Sequence, residues 1–199
     1  MKLYDFPLAP NPRRTRIYLA EKGLSVPLVM VNLREGAQRT PEFLAKNPLG
    51  SLPVLELDDG TLLTESEAII EYFEELHPEP PMIGRTPLER AKTRRLERLC
   101  EIAVLFRVGR YLHATLAPLP GAKPNPAVAE WALGELPRGL GVLEGEVGEF
   151  VAGERASVAD CTLFAAFEFA RAAGLALEDG YPRLGEWYQR FAQRPSAKA

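Results

Sequence analysis

Apolar and polar positions change their period several times along the chain, and each change marks a new element. Leu3, Tyr4 and Phe6 read as a short strand over Lys2–Phe6, followed by a loop crowded with Pro7, Pro10 and Pro12. Ile17, Leu19, Ala20 and Leu24 then share a helical face. Asn11 is the expected N-cap, Pro12 the first helical residue, and Gly23 closes the last turn. Val26 to Asn32 returns to strand spacing. A parallel partner for the first strand, reached by a right-handed helical crossover, is the usual solution for such a unit. Arg34 to Thr40 is polar loop, Pro41 to Lys46 a short helical turn, and Asn47-Pro48-Leu49-Gly50 a further turn.

The next stretch organises this half of the chain. Pro53 cannot donate a ladder hydrogen bond, so it belongs at the entrance of the strand Val54–Leu57, where its bend turns the Leu52 amide and carbonyl outwards. Asp59-Gly60 is the dipeptide of a type I′ hairpin, pairing Val54–Leu57 with Thr61–Leu63. A helix from Glu65 to about Leu76 follows at once. Thr64 and Glu67 have capping-box spacing and leave first-turn amides beside Glu65 and Ser66. A bent strand entrance and a helix amino end thus face one cleft, suited to a small extended anionic or peptide-like ligand.

His77-Pro78-Glu79-Pro80-Pro81 disfavours helix at every step and opens a linker over 78–86 between an α/β unit, 1–77, and an all-helical unit, 87–199. From Pro87, the positions Leu88, Ala91, Leu99, Ile102, Ala103, Phe106 and Leu112 mark one long amphipathic helix with Lys92, Arg94, Arg95 and Arg98 on its outer face. Ala127 to Phe150 has helical spacing in Trp131, Leu136, Leu140 and Leu143. Pro137 and several glycines interrupt it, at about 3 kcal/mol for a mid-helix proline and about 1 for a glycine, which predicts a kinked or broken helix. Ser157 with Asp160 is a strong helix start before the nearly all-apolar run Cys161–Ala173, the expected core of this half. Asp160 reads as a structural cap. A last helix runs over Arg183–Gln193.

Composition narrows the function classes. With 46% hydrophobic residues in 199, the chain can bury a core, and a net charge of −3 gives no electrostatic reason to expect nucleic acid or an anionic membrane. No apolar run approaches a membrane span, and Met1 leads straight into strand, so no signal peptide is expected and the cytoplasm is the expected compartment. Cys100 and Cys161 lie inside helical patterns without a CxxC or His neighbour, so they read as core and no metal site is expected.

The Pro10-Asn11-Pro12-Arg13-Arg14 helix start, Asn47-Pro48 ahead of Leu52-Pro53, Glu65-Ser66-Glu67-Ala68-Ile69, Ser157-Val158-Ala159-Asp160 and Tyr181-Pro182 ahead of Arg194-Pro195-Ser196 occur in a specific order and spacing. In these the chain resembles the cytosolic glutathione transferase superfamily over essentially its whole length. The resemblance implies a thioredoxin-like N-terminal domain, an all-helical C-terminal domain, a homodimer, a detoxification role, and glutathione as co-substrate with a small electrophile. It implies that the Leu52 backbone pairs with the cysteinyl part of glutathione, with Pro53 as the family's cis-proline. Glu65 and Ser66 would bind the γ-glutamyl end, and Gln38 the glycyl end. The chemistry agrees, since a carboxylate suits the α-ammonium while a hydroxyl and helix amides suit the α-carboxylate. Ala9, Pro10, Phe106 and Arg110 would line the electrophile pocket, Arg110 suiting an acidic substrate.

One departure stands out. Where many bacterial relatives carry Ser before Pro-Asn, this chain has Ala9, and where some carry Cys it has Pro12. The Asn11 carboxamide, the helix amino end and Arg13 remain to stabilise a thiolate, and Asn11 serves equally as a plain N-cap. Tyr4, mid-strand, reads as core. Three functions stay open: a glutathione transferase, a glutathione-dependent disulfide reductase using Asn11, and a non-catalytic glutathione- or ligand-binding module.

Overall fold

The computed structural model describes residues 1–199. Strands β1 (Lys2–Asp5), β2 (Leu28–Met30), β3 (Val54–Glu56) and β4 (Leu62–Thr64) form one sheet in the order β2-β1-β3-β4. β1 and β2 are parallel, as expected for strands joined by helix α1 (Pro10–Glu21), and the other pairings are antiparallel. Alternation sorts the two faces. Leu3 and Leu55, paired in register, join the main core with Ile17, Tyr18 and, from α3 (Ser66–Leu76), Ile69, Ile70 and Phe73. Tyr4 and Val54, the next pair, face a smaller cluster with Val31, Leu52 and Phe43 of the short helix α2 (Pro41–Leu44). Tyr4 is therefore core, and its hydroxyl donates to Glu56 at 2.7 Å.

The helical half comprises α4 (Pro87–Leu99), a π-helical turn over Cys100–Leu105, α5 (Phe106–Leu116), α6 (Pro126–Glu146), α7 (Val158–Ala172) and α8 (Pro182–Ala192). Thus the α/β-then-all-α layout read from periodicity holds. α7 is buried along most of its length, and the cluster around it is continuous with the sheet's main face: one core of 33 buried residues runs from Leu3 to Ala197. Cys100 and Cys161 are free and buried in it. No helix is long and apolar enough to cross a membrane.

Several local expectations are corrected. The N-cap of α1 is Ala9, in extended backbone, with Pro10 as first helical residue; Asn11 and Pro12 both lie inside the first turn. The hairpin has a three-residue loop: the Gly60 amide bonds the Leu57 carbonyl at 3.0 Å, and only Gly60 has positive φ (+85°), so a type I turn followed by a left-handed glycine replaces the type I′ turn. Thr64 is used by β4, where it pairs with Val54, and Glu67 turns to Arg14, so the Thr64–Glu67 capping box does not form. The expected single long helix is instead two α-helices joined by the π turn. The expected break after residue 127 is absent. α6 is a continuous 21-residue helix, and its buried face places Gly139 so close to the π turn that a Cβ there would lie 2.7 Å from Ala103 Cβ. Close packing of Ala129, Ala132, Leu136, Leu140 and Leu143 offsets the glycine and proline cost.

Candidate functional site

The amino end of α1 is poor in capping groups. Pro10 and Pro12 have no N–H, the Ala9 amide donates to the Phe6 carbonyl at 2.9 Å, and the Arg13 amide donates to the Ala9 carbonyl at 3.1 Å. The Asn11 amide alone is left over, with no acceptor in the protein. Its Oδ1 is buried and also unpartnered. An amide left this way at a helix amino end is suited to an external partner carrying negative charge, while the Oδ1 can accept only from a donor on such a partner.

A second set of free backbone groups comes from the turn into β3. Asn47 is buried and bonds Ser51 O and Oγ at 2.9 and 3.0 Å while accepting from the Leu49 amide at 3.1 Å, fixing the approach to Leu52. The Leu52–Pro53 peptide is cis, and neither the amide nor the carbonyl of Leu52 pairs with the protein. Gly50 is required here: its φ is +61°, and a Cβ would meet the Gln38 carbonyl at 2.7 Å. Gln38, in a 3-10 turn over Ala37–Arg39, is thereby packed beside this entrance, buried, with its Oε1 unpartnered.

The third set lies at the amino end of α3. Glu65 is exposed and holds φ +66°, a conformation costing about 1–3 kcal/mol in a non-glycine residue. The amides of Ser66, Glu67 and Ala68 have no acceptor. Ser66 is buried, and its Oγ accepts from Arg14 Nε at 2.8 Å, which leaves the hydroxyl proton free to be donated.

Arg14, not among the residues expected at the site, ties this corner together. Its guanidinium, 2% exposed, lies 3.2 Å from Glu67 and Glu97 and 2.6 Å from Glu101, with Thr162 at 3.5 Å. Three carboxylates thus surround one buried cation. Burial, reinforced by the charge of Glu67, pushes Glu97 up to about 8, and burial likewise raises Glu67. At neutral pH the cluster retains a proton. A signal was present in the sequence: Arg14, Glu97 and Glu101 occupy helical positions that are otherwise apolar and core-facing.

Beside these groups is a cavity of about 310 Å³ between the first loop, α5 and α7. Phe6, Leu8, Ala9 and Pro10 form one wall, Leu112, His113 and Leu116 another, and Ala165, Glu168 and Phe169 a third, with Arg13 and Arg34 contributing cations. Partial burial and the charge of Arg110 hold His113 below its ordinary value, so it is neutral at pH 7. The lining includes the expected Ala9 and Pro10 but neither Phe106 nor Arg110, both exposed. The π turn adds one residue and rotates the rest of the helix by about 100°, so that Val108 and Leu112 turn inward where uninterrupted α-spacing from Leu96 and Cys100 would put Arg107 and Tyr111. No group of residues suited to a metal ion occurs.

Residues 3–81 match the family model described as "Glutathione S-transferase, N-terminal domain", and residues 104–195 match "Glutathione S-transferase, C-terminal domain". The chain is 39% identical to Glutathione S-transferase 2 of Saccharomyces cerevisiae, covering 100% of this chain and 88% of that protein. It is 35% identical to maleylacetoacetate isomerase of Pseudomonas aeruginosa, covering 98% and 93%. Among solved structures, Gtt2 from Saccharomyces cerevisiae superposes with a TM-score of 0.92 at 38% identity, covering 100% of this chain and 99% of that one. A glutathione S-transferase domain-containing protein from Marinobacter aquaeolei also reaches 0.92, at 37% identity and coverage of 99% and 100%.

Proposed function

Because the chain belongs to the glutathione S-transferase family, we propose that it binds glutathione across the three sets of free groups and directs the sulfur at an electrophile in the adjoining cavity. In this reading residues 1–77 supply the glutathione wall, 78–86 join the units, 87–199 supply most of the electrophile wall, and two copies pair in the cytoplasm. The γ-glutamyl end lies at Glu65 and Ser66, its α-carboxylate on the Ser66 hydroxyl and the α3 amides, its ammonium near Glu65. The cysteinyl amide pairs with Leu52 beside Pro53, and the glycyl end reaches Gln38.

The observation that carries this is the coincidence of unpaired polar groups at Asn11, Leu52 and Ser66. Buried polar groups are otherwise paired in folded proteins, so three adjoining exceptions support a ligand that completes them. No hydroxyl stands at position 9, so the thiolate rests on Asn11 and the dipole of α1. A helix amino end with one or two donors lowers a thiol from its usual value near 8.5 by about a unit or more. The sulfur then forms a bond to the electrophilic carbon. The displaced electron pair departs with a leaving group such as chloride, or settles on an adjacent carbon that takes a proton from water. Orientation and thiolate stabilisation are the protein's contribution.

The test is titration of bound glutathione by thiolate ultraviolet absorbance across pH, in wild type and Asn11→Ala. The expected result is ionisation at least about one unit below the free thiol, largely lost in the variant. Bound glutathione that titrates as in water would leave a non-catalytic binding module. Turnover of a small disulfide without reaction on an aryl chloride would replace the transferase reading by the disulfide reductase.

A further inference from the structure

We propose that Arg13 makes the cavity selective for electrophiles bearing a negative charge, its guanidinium receiving a carboxylate or similar oxyanion of the substrate. The proposal rests on the transferase reading and adds a substrate class to it.

The cavity wall is mainly apolar, yet its charged groups are unevenly committed. Its one carboxylate, Glu168, is engaged on both oxygens: Oε2 lies 2.9 Å from Arg13 Nη2, and Oε1 accepts from the Tyr188 hydroxyl. Burial and the adjoining Glu168 push Tyr188 up to about 12, so it stays a donor. Glu168 therefore has little accepting capacity left for a ligand.

The cations are in the opposite condition. Arg13 uses only Nη2, toward Glu168 and the Ala197 carbonyl at 3.3 Å, while its guanidinium lies 5.8 Å from the Phe164 ring centre. Nε is buried without a partner, and Nη1 donates to nothing in the protein. The guanidinium is thus held from one side, with donors unspent, in the wall next to Ala9 and Pro10. Arg34 at the same wall is exposed, and its side chain makes no ion pair; only its backbone amide is engaged, with Asn32. His113 adds no charge at pH 7. The sum is an excess of one positive charge facing an apolar space, where the free Nη1 of Arg13 can donate to a carboxylate while Nη2 stays on Glu168. A neutral hydrophobic electrophile would fill the space but leave these donors unpaired.

The test is calorimetric titration with two glutathione conjugates that differ only in charge: S-(4-carboxy-2-nitrophenyl)glutathione and its benzoate methyl ester. The readout is the ratio of the two dissociation constants, which cancels losses common to both. In wild type the acid binds about tenfold or more tighter. Arg13→Gln abolishes the preference, Arg13→Lys keeps most of it, and Arg34→Gln, at an exposed position, lowers it by about threefold at most, as for a screened surface charge. Equal binding of acid and ester by wild type overturns the proposal, as does a preference that survives Arg13→Gln or disappears with Arg34→Gln alone. Failure of wild type to bind either conjugate, by contrast, removes the transferase reading itself.

Discussion

At the amino end of α7 a single buried carboxylate, Asp160, accepts from the Val151 amide, the Ser157 amide and hydroxyl, and Trp187 Nε1, all at 2.8 or 2.9 Å. At the amino end of α3 the corresponding amides have no acceptor, the residue before the helix sits at positive φ, and the nearest carboxylates crowd around Arg14 instead. Both ends are built from acidic and hydroxyl residues. In α7 the Ser157, Val158, Asp160 and Cys161 amides are all paired within the protein, leaving only the Ala159 amide over, and the result is rigidity. In α3 donors are left over on one side and acceptors are in excess on the other, and the result is a place for something to bind.

The contrast breaks most visibly at Asp160. Asp160→Ala strands four donors and is expected to cost about 3 kcal/mol or more, lowering the thermal midpoint by roughly 6–12 °C for a chain of this size. An unchanged midpoint in a thermal melt would mean that the network around Asp160 does not hold the helical half. At the other helix the loss falls on the ligand. Ser66→Ala is expected to weaken glutathione about tenfold or more by calorimetry, and to cost about 1–2 kcal/mol of stability because Arg14 Nε loses its acceptor. Equal glutathione affinity in the two proteins would remove Ser66 from the site.

The smallest effect sharpens the comparison through pH. Glu97 is raised to about 8 in the folded protein against an ordinary value of 4.5, so between these values the folded state holds a proton that the unfolded chain has released. The stability it contributes is complete below about pH 4.5 and declines as pH rises toward 8, by at most about 1.4 kcal/mol per unit. Glu97→Gln keeps an acceptor for Arg14 but cannot titrate. Its stability relative to wild type in urea is expected to rise by about 1 kcal/mol between pH 7 and pH 8. A constant difference would show that the cluster's proton resides elsewhere.

How much of this is written in the sequence depends on the range over which residues act. The Ser157–Asp160 box, the parallel first strands and the apolar run of α7 are local patterns, and they are realised as read. Leu52, Glu65 and Ser66 carry free groups at the strand entrance and helix start where the sequence puts them. Thr64 has the right spacing for a cap, but the sheet takes it. The close approach of α6 to the π turn brings Gly139 against Ala103, 36 positions apart in the chain, a contact that no window of spacing contains. Arg14 reaches Thr162, 148 residues away, and its role exists only after folding.

The π turn at Cys100–Leu105 gives this protein a means of changing its chemistry by length instead of composition. A straight α-helix through this stretch would carry the same side chains after it but turn them by about a quarter of a circle, exchanging which residues face α7 and the cavity and which face solvent. One residue more or fewer here therefore acts as a substitution of the whole wall. When relatives are aligned, a single gap placed a few residues to either side of this turn decides whether His113 or its neighbour is assigned to the cavity, so pocket residues in this family are better matched by helix phase than by column.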